Sequence, residues 1–155
     1  FHIFQRLHPE VMSNFYQNFW NLKLLHKKLP PHLLEVNRTN PDALPSLNWL
    51  FPLSNGDYAL PLCVFQEKRN HINDTVNIWV RVKIHQGKVS FGKLDRNQRL
   101  SDLSEYGDYF GYYGANNYHP HEISASLFED LFLSQILSTP KPISEGFRKL
   151  AEFFL

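Results

Sequence analysis

Residues 76–85 read VNIWVRVKIH, and Trp79, Arg81, Lys83 and His85 occupy alternate positions along them. Gln86-Gly87 follows as a two-residue turn, and residues 88–94, KVSFGKL, return as a partner strand. A loop of that length predicts the register: His85 opposite Lys88, Ile84 opposite Val89, Lys83 opposite Ser90, Val82 opposite Phe91 and Arg81 opposite Gly92. Opposed residues share a face, so Trp79, Arg81, Lys83, His85 and Lys88 gather on one surface. Val76, Ile78, Val80, Val82 and Ile84 form the other, core-facing one. Three fixed cations beside an imidazole and an indole suit a polyanion, with phosphates on Lys and Arg and a nucleic-acid base on the ring. Lys68, Arg69, Arg96 and Arg99 flank the hairpin and extend the patch. Two structural alternatives compete. Cations on the wet face of a sheet also serve solubility and guard an edge strand, with Trp79 covered by another segment. Alternatively, Asp102, Glu105 and Asp108 fold over the patch and neutralise it internally.

A second stretch, residues 105–122, reads EYGDYFGYYGANNYHPHE, with six aromatics and three glycines. Gly107, Gly111 and Gly114 predict a turn-rich loop and not a helix or strand. Its Tyr106, Tyr109, Phe110, Tyr112 and Tyr113 form a candidate surface for another protein chain, although some of them must pack inward. His119, His121 and Glu122, with Asp108, are the residue types of a metal site. No H-E-x-x-H helix accompanies them, and capping of the helix that follows is the stronger role, with Glu122 in its first turn. No metal is expected.

Asp57, then Gln66 and Lys68, with Glu35 as a further acid, are similar to the acid and acid-x-lysine pattern of metal-dependent nucleases. The pattern is incomplete. Gln66 stands where a second carboxylate belongs, and Pro61 interrupts the strand between them. Nucleophile elbow, phosphate loop, dinucleotide fingerprint and zinc-finger spacing are all missing from the chain, so no cofactor is expected and the balance leans away from an enzyme.

The elements that hold these residues are legible in outline. Pro9 and Glu10 suit a helix start, and Val11, Phe15, Phe19 and Leu22 recur at helical spacing, predicting a helix over about 9–28 that Pro30-Pro31 stops. Five prolines between positions 30 and 52 predict an irregular connection anchored by Leu44, Leu47, Trp49, Leu50 and Phe51. Asn55-Gly56 marks a turn before a strand over 58–66, which Pro61 assigns to an edge or a bulge. Ile123, Leu127, Phe128, Leu131, Phe132 and Ile136 give one helix an apolar face. Phe147, Leu150, Ala151 and Phe154 give another, capped by Ser144. The expected fold is α+β: an antiparallel sheet of three or more strands, with an N-terminal helix and two C-terminal helices packed on one face.

The 155 residues are enough for one domain with a real core, and 43% hydrophobic against 20% charged residues excludes a disordered or collagen-like chain. The expectation is a single domain over 1–155, as a fragment or one domain of a larger protein. Cys63 is the only cysteine and sits in an apolar run, so it reads as a buried thiol in a reducing, cytoplasmic setting. No run of about 18 apolar residues is present to span a membrane. Residues 66–100 carry eight Lys/Arg against three Asp/Glu, and residues 101–155 carry three against eight. That asymmetry points to an anionic partner for the middle third, or to the two parts docking on each other. The residues therefore favour a non-enzymatic domain that binds nucleic acid or another polyanion through the hairpin. A protein-interaction module and a metal-dependent nuclease are the alternatives.

Overall fold

The computed structural model describes residues 1–38, 48–65, 74–111, 118–137 and 144–154. In chain order its elements are α1 (His2–Leu7), α2 (Pro9–Asn18), β1 (Lys23–Leu25), α3 (Pro31–Leu34), β2 (Asn48–Pro52), β3 (Tyr58–Phe65), β4 (Thr75–His85), β5 (Lys88–Phe91), α4 (Ser104–Phe110), α5 (Pro120–Leu137) and α6 (Glu145–Phe154), with one 3-10 turn at Leu100–Asp102 before α4. The five strands make one antiparallel sheet in the order β1-β2-β3-β4-β5. This is the α+β arrangement that the order of patterns implies.

The β4–β5 hairpin forms in the register set by its turn, with His85 opposite Lys88, Ile84 opposite Val89, Lys83 opposite Ser90 and Val82 opposite Phe91. Gln86 and Gly87 both have positive φ, 48° and 76°, the primed geometry whose twist matches the flanking strands. On its other side β4 pairs with β3 from Tyr58↔Val82 to Phe65↔Thr75. β3 is therefore the central strand of the sheet, where Pro61 pointed to an edge or a bulge. Pro61 lies opposite Trp79, whose N–H turns away from β3 to the carbonyl of Gln98 at 3.2 Å. That pair exchanges no ladder bonds, so the proline nitrogen faces the β2 side, where strand pairing has already ended at Ala59↔Phe51.

The helix expected over about 9–28 is replaced by the shorter α2 and by β1, and a separate helix, α1, precedes them. α2 buries Met12, Phe15 and Tyr16, then the chain reverses at Asn21, with φ 55°. Lys23–Leu25 pairs with Leu50–Asn48. Residues 22–25 have helix-compatible spacing, but pairing with Trp49 and Leu50 overrides it, and the supposedly irregular connection contributes a strand, β2. Residues 39–47, including Leu44 and Leu47, lie outside the described residues.

The sheet is buried on both faces. Its curled inner side holds Leu50, Leu60, Leu62, Val64, Ile78, Val80 and Val82, closed by Leu25, Leu29 and Leu33 of α3. Its outer side, through Trp49, Phe51, Ala59, Cys63 and Trp79, carries the helix layer, represented by Phe15 of α2, Phe110 of α4, Leu127 of α5 and Leu150 of α6. The main helices thus sit on one face, as expected.

Residues 104–110 are helical, contrary to the loop that the glycines predict. Tyr106 and Phe110, one turn apart, stand 5.1 and 5.9 Å from the Phe51 ring, and burying both outweighs the cost of Gly107 within the helix. Gly111, with φ 78°, then ends it in the conformation that glycine allows. α5 starts at Pro120. Its start is capped by His119, whose Nδ1 accepts the N–H of His121 at 3.2 Å. Ser144 Oγ caps α6 by accepting the N–H of Phe147 at 3.2 Å. Among the described residues no helix is long and apolar enough to cross a membrane.

Candidate polyanion-binding face

The side chains singled out on β4 run along one face of that strand, and their surroundings change step by step. Trp79 is only 8% exposed and belongs to the helix-side core with Leu100, Leu103 and Tyr106. It offers no ring to a ligand, which corrects the stacking role that alternation alone assigned to it. Arg81, two residues on, is at the boundary. Its guanidinium lies 3.4 Å from the Asp57 carboxylate and 6.0 Å from the indole centroid of Trp79. Lys83 and His85 are exposed, as are Lys88 and Ser90 across from them on β5.

Backbone geometry sets this progression. Strand pairing with β3 stops at Val82, and the β2–β3 turn bends away onto the helix layer. Leu53 is buried there, and Ser54 donates both its N–H, at 2.8 Å, and its hydroxyl, at 3.1 Å, to the carboxylate of Glu105 in α4. The hairpin from Lys83 to Ser90 therefore extends as a ribbon of two strands, with no third strand alongside among the described residues. At its base Gly92 donates its N–H to the Arg81 carbonyl at 2.7 Å, where a Cβ on Gly92 would stand 3.2 Å from that oxygen.

The charges follow from these positions. Arg81 is held by Asp57, a partially exposed pair worth about 1 kcal/mol or less. Lys83, His85 and Lys88 have no ion-pair partner among the described residues, and His85 and Lys88 face each other directly. Of the acids expected to cover the patch, Glu105 is engaged by Ser54 instead. Lys93 and Arg96 are exposed just beyond β5, while Arg99 makes a bridge to Ile78. Lys68 and Arg69 lie outside the described residues.

The other candidate residues separate. Tyr106, at 2% exposure, and Phe110, at 0%, are core residues and are unavailable as a docking surface. Tyr109 is half-buried, with its hydroxyl 3.5 Å from the Phe19 carbonyl, and burial pushes that hydroxyl up to about 12. Tyr112 and Tyr113 lie outside the described residues. Of the nuclease-like set, Asp57 is paired with Arg81, Glu35 ends α3, and Gln66 and Lys68 lie outside the described residues. Among the described residues no group of His, Cys, Asp and Glu is arranged to hold a metal ion.

One polar cluster has no signal in the sequence pattern. Gln5 of α1 is buried, and its amide donates to the His121 carbonyl at 2.8 Å and to Ser124 Oγ at 2.9 Å. Ser124 is in turn 2.8 Å from the Tyr16 hydroxyl. His121 packs 5.5 Å from the Tyr16 ring and 4.9 Å from His119, and burial, with His2 nearby, lowers it to about 4. Glu122 is also buried, 3.8 Å from His2 Nε2. These groups bond to one another and to backbone, so the cluster fastens α1 and α2 to α5.

The fold defines an α+β domain built on a curled five-stranded antiparallel meander with a projecting basic ribbon. No family model matches the chain, and no curated protein or solved structure is significantly similar to it.

Proposed function

We propose that this chain is a binding module for nucleic acid or another polyanion, which it engages through the exposed face of the β4–β5 ribbon. One observation carries this reading: Lys83, His85 and Lys88 project from a single face, exposed and without an ion-pair partner among the described residues. Lys83 and Lys88 stand on one face, each opposite a side chain other than Lys or Arg (Ser90 and His85), and their positive charges add toward an anion laid across both. Arg81 exchanges its partial contact with Asp57 for the ligand or steadies the base of the ribbon. The test is retention on immobilised heparin over a salt gradient. Lys83→Glu with Lys88→Glu is expected to elute near the start of the gradient, and no retention of the parent chain would remove the reading. Both side chains are exposed, so the thermal melt of the variant should stay within a few degrees of the parent.

A further inference from the structure

Building on that polyanion reading, we infer that the ribbon is shaped for the major groove of duplex DNA and not for a single strand. Binding of single strands relies on exposed rings that stack on successive bases, with basic residues following the backbone. The ring that sequence alternation offered, Trp79, is packed under the helix layer. The ribbon face itself carries Lys83, His85, Lys88 and Ser90, none of which is an aromatic platform of the Phe, Tyr or Trp kind.

The backbone outline supplies the second argument. Past Val82 the ribbon has, among the described residues, two strands, Lys83–His85 and Lys88–Ser90, joined at Gln86-Gly87. Two strands lie about 4.8 Å apart and rise about 3.3 Å per residue, so three residue pairs give about 10 Å of reach before the turn. The B-form major groove is about 12 Å wide and about 8.5 Å deep and admits a two-stranded ribbon. The A-form major groove of RNA is too narrow for one. With the basic face turned inward, Lys83 and Lys88 reach phosphates on the groove walls. The Ser90 hydroxyl and the His85 imidazole present polar groups toward base edges.

Fluorescence anisotropy with the full chain tests this, using a labelled DNA duplex of about 20 base pairs, an oligo-dT and an RNA duplex of the same length, and heparin as a competitor. The DNA duplex is expected to bind at least tenfold tighter than either alternative. Lys83→Ala with Lys88→Ala should reduce its affinity at least tenfold and flatten the slope of log K against log salt by about 1.8, near 0.9 for each lost phosphate contact. Ser90→Asp keeps both lysines and sets a carboxylate on the same face, and it should also weaken duplex binding. Equal or tighter binding of oligo-dT or RNA while heparin still binds overturns the groove assignment and leaves the polyanion reading standing. Absence of binding to heparin and to every nucleic acid overturns both.

Discussion

Trp79 and Arg81 stand two residues apart on the same face of β4, the guanidinium carbon 6.0 Å from the indole centroid, and the boundary between core and solvent runs between them. The indole is covered by the helix layer, and the guanidinium reaches out to Asp57. The strand thus acts as a support whose buried half fixes the direction of its exposed half.

Truncating the buried half should therefore cost folding. Trp79→Ala removes a large core side chain and is expected to destabilise the chain by about 3–5 kcal/mol, read as a lower midpoint in urea unfolding. Loss of heparin binding with an unchanged midpoint would instead place the indole at the ligand.

The stability of the chain should depend on pH through His121. Its imidazole takes up a proton near 6.5 when unfolded but only near 4 when folded, because the folded ring is buried with His2 nearby. It packs among Tyr16 of α2, His2 of α1, and His119 and Glu122 beside it. Between those values the unfolded state binds more protons, so stability is full above about pH 6.5 and falls as the pH drops toward 4. The loss amounts to about 3 kcal/mol, at about 1.4 kcal/mol per pH unit. The difference in unfolding free energy between the parent and His121→Leu, followed over this range, isolates the contribution. A constant difference would show that the ring is free to ionise in place.

Gly146 lies where α6 meets α4, and its carbonyl accepts the Trp20 indole N–H at 3.0 Å. A Cβ added there would stand 2.8 Å from Phe110 Cδ1 and 3.1 Å from the Tyr109 carbonyl. Phe110 is fully buried and cannot swing aside, so Gly146→Ala should lower stability by about 1–3 kcal/mol through overpacking. Ordinary helix propensity would make the same substitution stabilising, so the sign of the shift in melting temperature decides between them.

Gln5→Leu tests the buried cluster. Without the amide, the His121 carbonyl loses its Gln5 donor and Ser124 Oγ keeps only its other partners, at a cost of about 1–3 kcal/mol. The amides of α1 and of the first turns of α5 should then exchange hydrogen faster than those of β4, in keeping with local release of α1.

The hairpin register was legible because it depends on two local quantities, a side-chain period of two and a two-residue turn. The Ser144 cap of α6 was legible because a hydroxyl reaches N–H groups only within its own first turn. Elsewhere local signals lost to contacts made across the chain. Gly107 reads as loop, yet Tyr106 and Phe110 pack on Phe51 and hold a helix around it. Leu24 and Leu25 fall within the helix expected over about 9–28, yet β2 draws them into a strand. Gln5 and Ser124, 119 residues apart, carry no pattern that announces their bond.

By itself the amino-acid sequence determined the fold class, the β4–β5 register and the gathering of Arg81, Lys83, His85 and Lys88 on one face of the hairpin. Alternation fixes which side a residue takes. It says nothing about what arrives to cover that side, because coverage comes from segments distant in sequence. Only the tertiary structure decided that the same face is core at Trp79, boundary at Arg81 and open at Lys83: the first joins the core on the helix side of the sheet, Asp57 holds the second, and pairing with β3 has ended before the third.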